Sequence, residues 1–342
     1  MVKVLNKQYP RRYLPSDIPR EILVKQEAET NPEYGKPPES RSIQELLQAG
    51  VINLDKHPGP TSHEFSHWIR QLFGIKRVGH GGTLDPGVSG VLPILLGKAT
   101  KLQEFLLLAG KEYVMLVRLH REVPEEELLQ VAKEFEGDIY QTPPLRSAVK
   151  KQLRVRRVYY LEVLEIDGKD VLVLLGVQSG TYARKLAFDL GRALGVGAHM
   201  QELRRTRVGQ FREEQAHPLY EILDAYYFWK DYGREQELRK VVLPVEAAVE
   251  HLPKIWIKDS AVAAICYGAP LTAPGVVKLH AGISPGDKVA IMTLKNELVA
   301  VAEAERSSQE ILQLEKGIVA RPLKVIMERG VYPRSWRSTK QL

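Results

Sequence analysis

Apolar residues recur along the chain at two spacings, one typical of helices and the other of strands. The helical spacing is clearest between Thr61 and Gly74, where a capping box formed with Glu64 precedes an apolar stripe. Glycine directly after the last apolar position is a common helix stop. The same reasoning predicts helices over residues 42–49, 61–73, 100–108, 124–136, 186–194 and 260–267.

Shorter apolar runs predict strands. Two long runs flank Asp167-Gly168, a dipeptide typical of a two-residue hairpin turn. Because helices and hairpins are interspersed and do not alternate as strict βαβ units, the pattern predicts an α+β fold with a mixed sheet. Strands are predicted over residues 51–54, 91–95, 112–119, 155–166 and 171–178, with shorter runs around Val276, Val289, Leu298 and Val319.

Shifts in composition predict four segments. Residues 1–40 are rich in proline and charge, which favours an extended arm packed on the last domain. Residues 41–249 carry most of the predicted helices and long strands and form the main domain. In residues 250–334 one helix stands among short strands punctuated by glycine and proline, which predicts a small β-barrel domain. Residues 335–342 form a tail.

Composition limits the classes of function. The chain has 342 residues, a formal net charge of +7 and a pI of about 9.2, which suits a protein that binds polyanions. Its one cysteine, Cys266, allows neither an internal disulfide nor a cysteine zinc site and fits a reducing compartment. No secretory segment is recognisable, and the apolar runs are too short to span a bilayer. These features predict a soluble, cytoplasmic protein.

The most distinctive segment runs from Gly79 to Gly90 and reads GHGGTLDPGVSG. Its five glycines let the backbone approach a ligand closely. A single carboxylate, Asp85, precedes a proline that disfavours the helical conformation. A lone acid on such a turn suits a nucleophile or a general base. The segment lacks the spacing of a Walker phosphate loop, a dinucleotide fingerprint or an esterase elbow.

This segment resembles the signature loop of the TruB-type pseudouridine synthases, from its Gly-His-Gly-Gly-Thr-Leu-Asp-Pro run to Ser-Gly-Val-Leu. Further segments resemble the same family in the family's order. One of them departs from the family pattern, because His57 separates Lys56 from Pro58 in the Lys-Pro-Gly-Thr-Ser motif. The matching segments cover residues 53–62, 79–92, 110–113, 135–150, 180–184 and 203–211.

The resemblance implies roles for individual residues. Asp85 is the nucleophile that attacks a flipped uridine, Arg184 lies beside it, and Tyr113 stacks on the base. A neighbouring guanidinium would favour the carboxylate anion that the attack requires. Without the resemblance, a surface arginine and a core tyrosine are the ordinary interpretations. Isomerisation involves no net redox change, so neither cofactor nor metal is implied. The other implied substrate contacts are His80, Tyr182, Leu203 and Lys56.

The segments after residue 250 resemble a PUA domain, an RNA-binding barrel. Together with the N-terminal arm they are similar to the dyskerin-type enzymes of H/ACA guide ribonucleoproteins. The lysine-rich tails of eukaryotic dyskerins are missing, which favours an archaeal source. The resemblance implies isomerisation of uridine in ribosomal RNA, with transfer RNA as a further substrate, at positions chosen by a guide RNA.

The resemblance also implies partners and a guide-binding surface. The partners are guide RNA, substrate RNA, a small zinc-ribbon-like protein, a Gly/Arg-rich-family protein and a kink-turn-binding protein. A dense basic run beside two tyrosines suits phosphate contact, although a solvated strand face has the same composition. The candidate guide-RNA-binding residues are Lys150, Lys151, Arg154, Arg204, Arg205, Tyr267, Gly268, Ala269 and Pro270.

Three other functions stay open at this point. The chain could be a stand-alone tRNA pseudouridine synthase or an RNA-binding scaffold without activity. His63-Glu64-x-x-His67 also satisfies the zinc-peptidase pattern on a predicted helix. Against a peptidase, His63 falls in the first helical turn and no third histidine follows at metzincin spacing.

Overall fold

A computed structural model of the protein describes residues 3–4, 13–142 and 152–334. Within these residues the strands form two mixed sheets, one of twelve strands and one of seven. Helices pack against both, so the α+β architecture expected from the sequence is confirmed. The helices are α1 (Ile43–Gln48), α2 (Ser62–Phe73), α3 (Gln103–Leu107), α4 (Glu125–Glu134), α5 (Ala183–Ala193), α6 (Leu219–Tyr232), α7 (Glu235–Val241), α8 (Asp259–Cys266) and α9 (Ser308–Gln313). The strands are β1 (Lys3–Val4), β2 (Ile22–Val24), β3 (Gly50–Lys56), β4 (Val78–His80), β5 (Ser89–Leu96), β6 (Lys111–Leu119), β7 (Gly137–Gln141), β8 (Arg154–Asp167), β9 (Asp170–Val177), β10 (Ala198–Val208), β11 (Phe211–Arg212), β12 (His217–Pro218), β13 (Val242–Pro244), β14 (Lys254–Ile257), β15 (Leu271–Thr272), β16 (Val276–His280), β17 (Lys288–Thr293), β18 (Leu298–Ala304) and β19 (Ile318–Val325).

The larger sheet carries the predicted site. Its strand order is β1-β8-β9-β6-β10-β5-β3-β12. β10 runs parallel to β5, and β12 runs parallel to β3, while the other pairs are antiparallel. Apolar residues of α2 and α5, such as Phe65 and Leu186, share one buried cluster with Met115 and Val117 of β6. This core supports the connections at the end of the sheet where β5 begins.

Some elements were not anticipated from the sequence. A single helix was predicted after residue 250, and this was wrong because α9 follows β18. The Ser307–Glu310 capping box that starts α9 was the available signal. The two helices α6 and α7 were not predicted either. Among the described helices, none has the length and apolarity needed to cross a bilayer.

The two sheets share buried structure. Val51 and Leu95 of the larger sheet lie in one apolar cluster with Trp256 and Met292 of the smaller sheet. The N-terminal segment joins both, because β2 pairs with β16 and Asp17 binds the guanidinium of Arg207 in β10, with Nη1 2.8 Å from Oδ2. The smaller sheet therefore has a defined position relative to β5 and β10.

Candidate active site

The loop between β4 and β5 presents Asp85 to solvent. A turn closes across it, with the Val88 amide donating to the Asp85 carbonyl at 3.0 Å. Gly90, the second residue of β5, has a φ of +105°. A Cβ there would lie 2.1 Å from the carbonyl oxygen of Arg205. Glycine at this position therefore allows β10 to approach β5 closely beside the loop.

Arg205 lies beneath the loop and holds its two ends. Its side chain is 1% exposed. Nε donates to the Val91 carbonyl at 2.7 Å and Nη2 to the Gly82 carbonyl at 2.9 Å. Burial lowers the pKa of Arg205, and Tyr113 acts in the opposite direction. Arg205 was expected to contact guide RNA; in the structure its guanidinium is buried and binds the backbone of the loop.

Lys56 holds the same loop from the opposite side. Its side chain is fully buried, and Nζ donates to the carbonyls of His57 at 3.0 Å, Pro86 at 3.0 Å and Val88 at 2.8 Å. Burial and Arg205 lower the pKa of Lys56, while the Asp85 carboxylate raises it. The ammonium was expected to contact substrate; the structure places it on the backbone that carries Asp85. His57, the departure from the family motif, supplies one of the three acceptors.

Asp85 and Arg184 form an ion pair between their side chains, Arg184 Nη2 donating to Asp85 Oδ2. Each side chain is 59% exposed, so the pair lies at the surface where an RNA base could reach it. Arg184 is the second residue of α5, and Tyr182 precedes the helix. The Tyr182 amide donates to Gln141 Oε1 at 2.9 Å, and Gln141 Nε2 donates back to the Tyr182 carbonyl at 3.3 Å. Gln141, which the sequence did not single out, thereby positions the start of α5.

Tyr113 and Leu203, which were predicted to contact the base, lie on neighbouring strands of the larger sheet. Tyr113 of β6 lies opposite Arg205 of β10 and is 9% exposed. Leu203, two residues earlier in β10, is half-buried against the same core. Residues two apart on a strand face the same side, so Leu203 and Arg205 share a face with Tyr113. The residues next to Asp85 and Arg184, namely Leu84 of the loop and Ala183 of α5, lie in the same buried cluster as Tyr113.

A third buried cation was missed from the sequence. Lys111 Nζ donates to the carbonyls of Leu107 and Ala109, both at 3.0 Å, and to Ser179 Oγ at 3.3 Å. Burial lowers its pKa to about 7, with Arg205 contributing in the same direction. Lys111 lies two residues before Tyr113 on the same strand, so the two side chains share a face. This spacing is the feature of the sequence that could have identified Lys111.

His80 is buried at the start of the loop. It is 5% exposed, and its Nδ1 has no hydrogen-bond partner among the described residues. The exposed His63 of α2 meets it edge-on, with ring centroids 5.1 Å apart. Burial lowers the pKa of His80 to about 4, helped by His63 and Arg205. His80 was expected to enter the space left by a flipped base. In the protein without RNA its side chain is buried and contacts the exposed ring of His63.

The His-Glu-x-x-His motif has a structural role in this helix. The Glu64 carboxylate accepts the Thr61 amide at 2.7 Å and the Thr61 hydroxyl at 2.8 Å, closing the capping box. His67 is hydrogen-bonded to Arg70. Within the residues that the structure describes, no group of three or more histidine, cysteine, aspartate or glutamate side chains is arranged to hold a metal ion.

The predicted guide-binding residues are dispersed. Arg204 is bound on both sides, to Asp55 at 3.0 and 3.1 Å and to Glu213 at 2.7 Å. Arg154 begins β8 opposite Gln141. Lys150 and Lys151 lie outside the described residues. Tyr267, Gly268, Ala269 and Pro270 follow α8 in the smaller sheet's domain.

Models of four known families match successive parts of the chain. They are the DKCLD (NUC011) domain over residues 14–66, the N-terminal domain of TruB family pseudouridylate synthase over 70–183, the tRNA pseudouridylate synthase B C-terminal domain over 184–250, and the PUA domain over 253–326.

Individual proteins match nearly the whole chain. A probable tRNA pseudouridine synthase B of Pyrococcus furiosus is 60% identical over 328 residues, which cover 95% of this chain and 96% of the relative. The corresponding protein of Methanosarcina barkeri is 51% identical over 96% of this chain and 97% of its own. A chain in the crystal structure of a Cbf5-Nop10-Gar1 complex is 60% identical, with a TM-score of 0.92, and the match covers 94% of this chain and 99% of that one. A chain in the structure of an H/ACA RNP bound to a substrate RNA containing 2′-deoxyuridine is 57% identical, with a TM-score of 0.90 over 95% of this chain and 100% of that one.

The fold, the loop and these matches define an isomerase that acts on RNA, and the chain belongs to the TruB family of pseudouridine synthases. The chain has a DKCLD segment and a PUA domain, and its structural relatives include a chain of an H/ACA complex. This combination is typical of the dyskerin-type members of the family. The resemblance noted from the sequence is thereby confirmed.

Burial of His80 predicts a pH dependence of stability. Its pKa is about 4 in the fold against about 6.5 in the unfolded chain. As pH falls from 6.5 to 4, the unfolded chain therefore binds a proton that the native protein does not, and up to about 3 kcal/mol of the free energy of unfolding is lost. We expect His80→Gln to flatten this decline in denaturant titrations at successive pH values.

The exposed His67 of α2 provides the matched control. His67→Gln should leave the pH dependence of the free energy of unfolding as in the wild type, so the difference isolates His80 from the other histidines. A His80→Gln profile parallel to that of the wild type over this interval would show that His80 is not held neutral.

Proposed function

We propose that the protein isomerises uridine to pseudouridine in ribosomal RNA as the catalytic subunit of an H/ACA guide ribonucleoprotein, with Asp85 as the nucleophile. The observation that carries the assignment of Asp85 is the contrast within its loop. The backbone is held by buried Lys56 and Arg205, while the carboxylate itself is exposed with Arg184 as its ion-pair partner. A fixed backbone under an accessible anion is what a nucleophile requires.

Each residue then has a defined task in the reaction. Asp85 forms a covalent bond to the flipped nucleotide, the bond between uracil N1 and ribose C1′ breaks, and the base turns. A bond forms between C5 and C1′, the C5 proton is lost as N1 gains one, and the Asp85 carboxylate is released. Arg184 orients the attacking carboxylate through their ion pair. The reaction has no net oxidation, so it needs no redox partner.

The base pocket is assigned to Tyr113, Tyr182 and Leu203. Taking a base out of its stack costs a few kcal/mol, which stacking and edge contacts in a pocket offset. Tyr113 is buried opposite Arg205 in the sheet, and the backbone of Tyr182 is held by Gln141. A ring fixed in advance loses little conformational freedom when the base arrives.

Guide RNA selects the uridine, and the PUA domain holds the 3′ ACA end of the guide. Tyr267 supports this role, because it is 37% exposed and the guanidinium carbons of Arg329 and Arg334 each lie 4.5 Å from its ring centroid. Exposed aromatic rings beside arginines are typical of surfaces that stack nucleobases. The protein partners proposed are the zinc-ribbon-like, Gly/Arg-rich-family and kink-turn-binding proteins. In support, the structural relatives occur in a Cbf5-Nop10-Gar1 complex and in an H/ACA RNP with substrate RNA.

A second candidate function is guide-independent modification of tRNA. It is favoured by the name of the curated relatives, probable tRNA pseudouridine synthase B. The two functions share the chemistry at Asp85 and differ in how the uridine is chosen.

Guide dependence tests the proposal. We expect the assembled protein to form pseudouridine in a short ribosomal RNA fragment only with a hairpin guide that pairs to it, because base pairing supplies the selection. Mass spectrometry of the fragment measures the product. A guide with scrambled pairing segments is the control. Equal product with the scrambled guide, or turnover of a tRNA transcript without guide, would favour the stand-alone function.

Asp85→Asn should abolish isomerisation, because the amide is a far weaker nucleophile than the carboxylate. Guide RNA affinity should change less than about threefold, since affinity is spread over many phosphate contacts. Single-turnover assays and binding titrations on the same preparation measure both. Asp138→Asn, an exposed carboxylate on β7, is the control that keeps wild-type turnover. Substantial turnover in Asp85→Asn would refute the nucleophile assignment.

Arg184→Lys should lower the single-turnover rate by about tenfold or more, because lysine keeps the charge but lacks the planar fork that orients a carboxylate. The midpoint of thermal unfolding should stay near that of the wild type, since both partners of the ion pair are exposed. Arg192→Lys at the other end of α5 is the matched control. A near-normal rate for Arg184→Lys would remove Arg184 from the reaction.

A further inference from the structure

We propose that Lys111 is a positioning residue for the isomerisation, because its side chain joins the connection that leads to Arg184 to the loop that carries Asp85. For the roles of Asp85 and Arg184, the inference rests on the function proposed above. Lys111 is the first residue of β6 and is only 7% exposed, so it is too buried to contact RNA itself. Its effect on the reaction therefore passes through the segments that it binds.

The three protons of the Lys111 ammonium are all used in contacts with two other segments. Two of the acceptors, the carbonyls of Leu107 and Ala109 at 3.0 Å, belong to the connection between α3 and β6. The third acceptor is the hydroxyl oxygen of Ser179, 3.3 Å from Nζ, in the connection between β9 and α5. The Ser179 hydroxyl in turn donates to the Leu107 carbonyl. An ammonium has three donors, so the charged group is fully hydrogen-bonded only when both connections are in place.

Ser179 lies on a short turn that leads into the start of α5. The Gln178 carbonyl accepts the Thr181 amide at 3.2 Å and the Thr181 hydroxyl at 2.8 Å, which closes the turn around Ser179. The Gln178 amide donates to the Arg157 carbonyl of β8 at 2.8 Å, so the other end of the turn is fixed to the sheet. Arg184 follows shortly after Ser179 in the chain. A shift of this turn therefore displaces the guanidinium that pairs with Asp85.

The same lysine side chain packs against the beginning of the Asp85 loop. A Cβ on Gly82 would lie 3.4 Å from Lys111 Cε and 3.5 Å from Arg205 Nη1. The Gly82 carbonyl accepts Arg205 Nη2 at 2.9 Å. Lys111 and Arg205 therefore support this end of the loop side by side, and Lys111 also contacts the turn before α5.

The energetics favour a functional explanation for this buried charge. Burial and the neighbouring charge of Arg205 both oppose the ammonium of Lys111 and lower its pKa. An apolar side chain of similar length would fill the same space without that cost. Charged groups that cost stability in this way are expected where a site has to be held in one geometry.

Rates and affinities of the full-length protein test the inference. They are measured with whichever RNA the wild type converts, the guided fragment or a tRNA transcript, so that a failure of guide dependence is seen separately. Lys111→Met keeps the length of the side chain and removes its three donors. We expect the single-turnover rate at saturating RNA to fall about tenfold or more, because small misplacements of reacting groups are costly. The dissociation constant of the RNA should stay within about threefold of the wild-type value, since affinity is spread over many phosphate contacts.

Ser179 offers a second test with little risk to folding, because its side chain lies at the surface of a turn. Ser179→Ala removes one of the three acceptors and should lower the single-turnover rate about threefold or more. Ser179→Thr keeps the hydroxyl and should restore the rate. The double variant Lys111→Met/Ser179→Ala should react as slowly as Lys111→Met and no more slowly, because residues that act through one contact are not additive.

Lys133→Met, the same substitution at an exposed lysine of α4, is the matched control and should keep the wild-type rate. The inference holds if both single variants lose rate without affinity and their effects do not multiply. It is overturned if Ser179→Ala reacts at the wild-type rate, if the two effects multiply in the double variant, if affinity falls in parallel with the rate, or if Lys133→Met is equally slow. If Lys111→Met does not fold, the rates of Ser179→Ala and Ser179→Thr decide.

Discussion

The active site depends on cations that are buried without a carboxylate partner. Lys56 and Arg205 both donate to carbonyl groups of the segment around Asp85, and Lys111 is buried close by. Desolvating such a charge costs several kcal/mol, and charge-assisted hydrogen bonds of about 1.5–3 kcal/mol each offset that cost. These bonds fix the backbone on both sides of Asp85, whose side chain is exposed.

The exposed ion pair of Asp85 with Arg184 differs from these buried contacts. A surface ion pair contributes little to stability, so separating Asp85 from Arg184 would cost the fold little. The interactions that resist change are placed below the loop, where water is excluded. Lys111 lies next to this layer, and its lowered pKa of about 7 reflects both its burial and the nearby charge of Arg205.

Contacts away from solvent also hold the two domains together. An apolar cluster includes residues of both sheets. The part-buried ion pair of Asp17 with Arg207 joins the arm to β10. Glu246, which is paired with Arg41 at 2.7 and 2.8 Å, also accepts the Leu298 amide of β18 at 2.7 Å. Through these contacts the arm and the PUA domain hold a defined position relative to the catalytic sheet. An RNA that spans both domains consequently meets a surface of fixed spacing.

Local patterns in the sequence determined much of this protein. The α2 capping box, the hairpin around Asp167 and the glycine-rich loop with Asp85 follow from neighbours within a few residues, whose propensities tertiary contacts did not override. The ion pair of Asp85 with Arg184, separated by 99 positions, was foreseen only through the resemblance to a known family. Tertiary structure alone decided the environment of the cations. Lys56 and Arg205 are cationic, as residues that bind RNA usually are. Only the packing of β3, β5 and β10 shows that they are buried. Burial sets the role of a charged side chain because an ammonium or guanidinium removed from water must bind whatever oxygen the fold places beside it.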